Sequence, residues 1–254
     1  MSLKTNNPVH QSPVSQPSPP KSSRVMGKAL STAVALWLRS QLDRVEDLQV
    51  QIDTSSRLVF AGLIPKVAVS AREAIYQGLY LRQISLIAKD IQLNVRQILK
   101  GQPLRLNEPI PVTGELLLQE SDLNNSLTSP LLANGLTEFL VTLIKGAGGQ
   151  DNLANLFKAQ QMSWQQINLA PGQLIIKGVC FDFSGQQTPV SIQAQVRVEN
   201  GHKLQLNSIQ IELLSLPTID LDSFELDLGS EVDIQELTLN PGELICRGGI
   251  LVNP

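Results

Sequence analysis

The sequence predicts an α+β protein: an elongated, highly curved antiparallel sheet wrapped around a long helix, with an additional helix near the N-terminus. Three observations predict it. Apolar and polar residues alternate over many short runs, the period of strands wetted on one face. Several runs change phase partway without a turn residue, the mark of a bulge that bends and twists a sheet. One long segment abandons period two for a wide apolar face at helical spacing.

The elements follow in order. Residues 1–23 carry Pro8, Pro13, Pro17, Pro19 and Pro20 among Ser, Gln and Asn. So little apolar surface cannot offset the entropy of ordering, and the segment reads as a disordered tail before a single domain, 24–254. A helix is expected from about Ser23 to Gln41, with Met26, Ala29, Leu30, Ala33, Val34, Trp37, Leu38 and Leu42 at spacings of three and four. Its stripe suits either packing on the domain or a membrane surface with Trp37 at the interface; the small alanines favour packing.

Period two then takes over at Leu48, Val50 and Ile52, at Ile91, Leu93 and Val95, at Val190 through Val198, and at Leu204 and Leu206. Phase changes are expected where Leu81 gives way to Ile84, Leu206 to Ile209, and Leu221 to Phe224. The helical interlude runs over 122–144, N-capped by Ser121 or Asp122, interrupted at Pro130 and ended by Gly146 to Gly149. A strand-turn pattern recurs: Trp164 to Leu169 leads through Pro171-Gly172 to Leu174 and Gly178, and Ile234 to Leu239 leads through Pro241-Gly242 to Leu244 and Gly248. A looser copy starts at Val45 and reaches Gly62. Pro followed by Gly fits the centre of a type II turn.

Composition narrows the function. Aromatics are only 4% of the chain, so the core must be built from Leu, Ile and Val. A net charge of −3 excludes a strongly basic nucleic-acid binder. Charge is nevertheless segregated: the leading end is mostly basic, with Lys28, Arg39 and Arg44 around the first helix, and Asp220 to Glu236 holds only acidic charges. Solvated faces explain such runs, and a basic end is also able to meet anionic headgroups. The acidic run alternates with apolar residues, as the outer face of a strand does, and lacks the order of a calcium loop. Cys180 and Cys246 are expected as small core residues rather than as a disulfide framework.

Catalytic signatures are missing. His10 lies in the tail and His202 sits in Asn200-Gly201-His202-Lys203, which reads as a hairpin turn. Zinc would need more Cys and His ligands than the sequence groups together. Neither an enzyme nor a cofactor is expected. The segment 25–38 lacks a small-residue cleavage site after its apolar run, so no export signal is expected. That favours the cytoplasm, or the cytoplasmic face of a membrane, with export left open.

Several motifs carry a resemblance: Lys28-Ala29-Leu30-Ser31-Thr32-Ala33-Val34, Gly114-Glu115-Leu116 with Asp122-Leu123-Asn124, Ser129-Pro130-Leu131-Leu132, Pro171-Gly172-Gln173-Leu174, and Asp227-Leu228-Gly229 through Glu243-Leu244-Ile245-Cys246-Arg247-Gly248. In this order they resemble the LmeA-like family of bacterial phospholipid-binding proteins, especially its cyanobacterial members, over about Arg24 to Pro254. The resemblance implies a fold akin to the bactericidal permeability-increasing proteins, in which a curved sheet wraps a helix and leaves an apolar groove for acyl chains. It also implies phospholipid or glycolipid as partner.

The expected function is therefore non-catalytic binding, with transfer as an extension, of phospholipid or glycolipid. A scaffold acting through protein contacts at a membrane or envelope is the alternative. Candidate lipid-lining residues are Leu132, Leu136, Phe139, Leu143 and Ile144 of the apolar helix, with Trp37 and Trp164. The competing reading of that helix is a closed core. Lys28, Arg39 and Arg44 are the candidate contacts with an anionic membrane.

Overall fold

The computed structural model describes residues 21–94, 106–148, 161–181, 185–213 and 217–254. Residues 1–20 of the expected tail lie outside them, as do Val95 and Arg96. Helix α1 (Lys21–Gln41) comes first, followed by strand β1 (Asp47–Asp53), the short helix α2 (Ser56–Phe60), β2 (Leu63–Tyr76), β3 (Leu79–Gln92) and β4 (Ile110–Gln119). Helix α3 (Glu120–Asn125), a 3-10 turn (Ser126–Thr128) and helix α4 (Pro130–Gly146) form the helical interlude. Seven strands follow: β5 (Gln161–Ala170), β6 (Gln173–Phe181), β7 (Gln187–Asn200), β8 (Lys203–Leu213), β9 (Ile219–Asp227), β10 (Val232–Asn240) and β11 (Glu243–Val252).

The strands are antiparallel throughout, as expected, but they make two sheets where one was expected. A six-stranded sheet runs β1-β2-β3-β4-β11-β10, and a five-stranded sheet runs β5-β6-β7-β8-β9. The physical reason is who occupies the edge of β4. The C-terminal β11 returns to pair with β4 from Glu243↔Gln119 to Val252↔Ile110, so β5 has no edge to join and starts a new sheet. Alternation reports which face of a strand is wet; it does not report the neighbour.

Bends fall where the alternation breaks. β2–β3 pairing skips between Arg72↔Gln83 and Ala74↔Leu81, and Glu73 there has φ 47°. β7–β8 pairing shifts between Gln193↔Gln210 and Gln195↔Asn207, beside Ser208 at φ 48°. Positive φ in a residue other than glycine is rare. At these places it rotates the following side chains onto the opposite face, which is what the phase change in sequence records.

The recurrent pattern is a repeated hairpin. β5–β6 and β10–β11 both turn through Pro-Gly, and both shift register at the same step, between Trp164 and Gln166 and between Ile234 and Glu236. Opposite each bulge stands a glycine. A Cβ on Gly178 would lie 2.7 Å from the Ser163 carbonyl oxygen, and one on Gly248 would lie 2.3 Å from that of Asp233. The two tips then bond to each other: Gly172 N donates to Leu239 O at 2.9 Å, and Gly242 N donates to Leu169 O at 3.4 Å. Equivalent positions of the two copies exchange these bonds and join the sheets. In the looser first copy, α2 occupies the connection between β1 and β2.

The closed core sits on the inner face of the five-stranded sheet. Ile167, Ile176, Val190, Ile192, Leu206, Ile209 and Ile211 pack with Leu140, Val141, Leu143 and Ile144 of α4, and Leu237, Leu239 and Leu244 reach in from the β10–β11 tip. Burying each such aliphatic side chain stabilises by roughly 1.5–3 kcal/mol. Trp164 pins α4 to β5 by donating from Nε1 to Thr137 Oγ1 at 3.1 Å and to Ala133 O at 3.2 Å.

Candidate functional site

The six-stranded sheet carries a different kind of surface. Its registers align apolar side chains in rows that cross every strand. One row reads Leu48, Ala71, Ile84, Leu116, Cys246, Leu237. The next reads Val50, Val69, Leu86, Gly114, Gly248, Ile234, and the third reads Ile52, Val67, Ala88, Val112, Ile250, Val232. No polar side chain interrupts them. The opposite face presents Gln49, Gln51, Ser70, Arg72, Ser85, Glu115 and Arg247.

Burial separates this aliphatic face from the closed core. Leu48, Val50, Val67, Val69, Ile84, Leu86, Val112 and Leu116 are only half-buried, and Ile250 is 51% exposed. A row one step closer to α3, Leu118, Leu244 and Leu239, is the seam where the face runs into the core. Glycine shapes the middle row. A Cβ on Gly114 would lie 2.6 Å from Leu86 Cδ2, so the Leu86 side chain lies across the glycine.

Helix α1 flanks this face by running along β1. Ile52 N donates to Ser31 Oγ at 3.0 Å, and Gly27 lets the helix approach, since a Cβ there would lie 2.7 Å from Ile52 O. Farther along, helix and strand part, leaving a cleft of about 450 Å³ lined by Lys28, Ser31, Ala35, Leu36 and Arg39 on one side and by Leu48, Gln49 and Val50 on the other.

Helix α3 holds the two sheets in place. Asp122, nearly buried, accepts from Arg82 Nη2 at 3.0 Å and Nε at 3.2 Å, and from Gln119 N at 2.9 Å. Arg82 also pairs with Glu73. The Asp122 carboxylate raises the Arg82 pKa through that hydrogen bond. Two residues on, Asn124 faces the other sheet: Ile167 N donates to its Oδ1 and its Nδ2 donates to Ile167 O, both at 2.8 Å. Leu169 N donates to Glu120 Oε2 at 2.7 Å, so side chains of α3 complete the edge of β5. The helix therefore starts at Glu120, and Asp122 serves as its third residue rather than its cap, because β4 runs on through Gln119. Ser129 Oγ donates to Gln77 O at 2.8 Å and ties the start of α4 to the β2–β3 turn.

The residues singled out from sequence are distributed as follows. Leu143 and Ile144 are fully buried in the closed core, while Leu132, Leu136 and Phe139 are partly buried against it. Trp164 is buried behind α4, and Trp37 is 60% exposed on α1. Lys28 and Arg39 line the same cleft; Arg44 is elsewhere, paired with Glu46 at 3.3 Å. Lys28 and Arg39 thus lie on one side of α1 along the same cleft, Trp37 lies on the opposite side of that helix, and none of the α4 residues lines the cleft. Sequence reasoning missed Val69, Leu86, Val112 and Leu116. Their alternation was legible in part, but only the register assembles them into one surface.

Cys180 is buried and Cys246 is half-buried on the aliphatic face, where burial pushes its pKa up. Among the described residues no three His, Cys, Asp or Glu side chains gather as metal ligands, and no single helix is long and apolar enough to cross a membrane.

An antiparallel protein with one sheet face sealed under a helix and another full aliphatic face half-open has the architecture of a binder of apolar ligands. Comparison with known families sharpens that class: residues 22–249 match the LmeA-like phospholipid-binding family, and the chain belongs to it. Comparisons with curated proteins and with solved structures gave no match. The motifs behind the resemblance turn out to be clasps: Asp122 and Asn124 of α3, Gly114 beneath Leu86, and Arg247, which donates to Glu115 at 2.8 Å and to Glu236 at 2.5 Å.

Proposed function

We propose that the protein holds phospholipid or glycolipid without catalysing a reaction, its acyl chains lying along the aliphatic face of the six-stranded sheet. One observation carries this reading: three uninterrupted apolar rows remain mostly half-exposed, with only Ala71 and Ile52 buried, whereas the central strands of the other sheet bury the same kind of surface under α4. Acyl chains would remove that area from water at about 25 cal/mol per Å². In this reading the apolar groove that the family resemblance implies is the trough formed by the six-stranded sheet, with α1 along its edge, rather than a groove around a wrapped helix. The α4 residues Leu132, Leu136 and Phe139 belong to the closed core in this reading rather than to the trough. Carriage of lipid between membranes follows from the exposed end at Ile250, through which a chain can enter and leave. The working position is peripheral, at the cytoplasmic face of an anionic membrane.

The test is lipid extraction and native mass spectrometry of the purified full chain. Phospholipid at fixed stoichiometry is expected, lost in Val69→Asp and in Leu86→Asp while both variants keep a cooperative unfolding transition. Lipid retained by both folded variants would overturn the placement. A lipid-free chain that co-purifies with a protein partner would favour the scaffold alternative.

A further inference from the structure

The aliphatic face explains how acyl chains are held but says nothing of the headgroup, because its rows contain no charge. The cleft between α1 and β1 supplies what the face lacks. We propose that this cleft is the headgroup subsite and that it selects anionic phospholipids, with Lys28 and Arg39 facing the phosphate-bearing group. The inference rests on the lipid-binding reading above and names its specificity.

Four features support it. First, Lys28 and Arg39 lie on one side of α1, about three helical turns apart, one toward each end of the cleft. Second, neither has an ion-pair partner among the described residues, whereas Arg44, Arg82, Lys203 and Arg247 each do. No Asp or Glu lines the cleft, so its lining carries only positive charge. Third, the strand side of the cleft includes, with Gln49, Leu48 and Val50, the first members of two of the three apolar rows. A headgroup at the cations therefore has an apolar path leading directly onto the sheet. Fourth, Leu36, which lines the cleft, stands 66% exposed, an apolar side chain open to solvent next to the two cations.

The Ser31 and Thr32 hydroxyls are already committed, donating to Gly27 O and Lys28 O, and so shape the cleft rather than bind the anion. A comparable cleft of about 540 Å³ on the five-stranded sheet makes an instructive contrast. It carries Glu212 as well as Lys177, and its buried members Val179, Val190 and Leu213 belong to the sealed sheet. It has neither the uniform charge nor the open apolar path.

The experiment loads the full chain from vesicles of pure phosphatidylglycerol or pure phosphatidylcholine, removes the vesicles, and counts protein-bound lipid by extraction and mass spectrometry. The wild-type chain is expected to take up phosphatidylglycerol preferentially. The double variant Lys28→Ala with Arg39→Ala is expected to lose that preference by about tenfold, in keeping with two exposed charge contacts. Its melting temperature should match wild type, which shows the fold intact, and its phosphatidylcholine uptake should fall by less than its phosphatidylglycerol uptake. An unchanged preference in the double variant would overturn the subsite. Equal wild-type uptake of both lipids would overturn it while leaving the lipid-binding reading standing; uptake of neither would overturn both. Inorganic phosphate added during loading, against chloride of equal ionic strength, separates a lipid headgroup from a free anion. Preference is expected to survive, because the acyl chains hold the headgroup in place. Its collapse to the level of the double variant would mark a free-phosphate site and contradict the proposal.

Discussion

Ile192 and Leu86 are both aliphatic residues in the middle of a strand, each preceded by a serine, yet their surroundings differ completely. Ile192 is 1% exposed beneath α4, on a sheet whose inner face is closed. Leu86 is half-buried on a sheet whose aliphatic rows run open toward Ile250. The same local code thus produces a sealed core and an available surface. What differs is the covering layer: α4 lies on one sheet, while α1 only runs along the edge of the other. A hydrophobic face left in this state is a feature to be explained by what it holds rather than by the stability it provides.

The largest effect that tests this contrast is the response to charge. Leu143→Asp places a carboxylate at a fully buried position of α4 with no partner, and should cost several kcal/mol and abolish cooperative unfolding in thermal melts. The same change at Leu86 should leave a folded protein, because water reaches that face. Equal collapse of both variants would erase the distinction between the two regions.

A smaller effect is expected at the joint between them. Asp122 binds Arg82 of the open sheet while its helix neighbour Asn124 binds the edge of the closed one. Asp122→Ala leaves Arg82 with Glu73 alone and frees Gln119 N, and should cost about 2–3 kcal/mol, less than a fully buried pair because Arg82 is partly exposed. Hydrogen exchange should then rise first in β3 and at the edge of β5. Uniform loss of protection across both sheets would show that α3 is not the joint.

Much of this fold was legible from sequence. The α+β class, the Pro-Gly hairpins, the restart at Pro130 and the bends at Glu73 and Ser208 were all written in local patterns, because turns and phase changes depend on neighbouring residues only. The two-sheet division was not legible, since the return of β11 to β4 joins residues more than a hundred positions apart, such as Arg247 and Glu115. For the same reason Leu143 and Leu86 could not be ranked in advance. The apolar stripe of α4 announces burial but not depth, and the rows through Val69 and Leu116 exist only once the register is set. The cleft was half legible: Lys28 and Arg39 stood out as basic residues on a helix, but their facing Leu48 and Val50 is a tertiary fact.

The two cysteines offer the most direct test, because one lies in each region. Cys180 is 2% exposed within the closed core, and Cys246 is half-buried in the first aliphatic row beside Leu116 and Leu237. The thiolate is the reactive form, and burial raises the Cys246 pKa, so its alkylation should be slow near neutrality and accelerate at pH above the ordinary thiol range. The measurement is the rate of N-ethylmaleimide labelling at each cysteine, by mass spectrometry, for delipidated full chain with and without phosphatidylglycerol. Cys180 should stay unlabelled until the protein unfolds, and Cys246 should label in the delipidated chain and be protected severalfold by lipid. Identical Cys246 rates with and without stoichiometric bound lipid would contradict the claim that acyl chains lie on the six-stranded sheet.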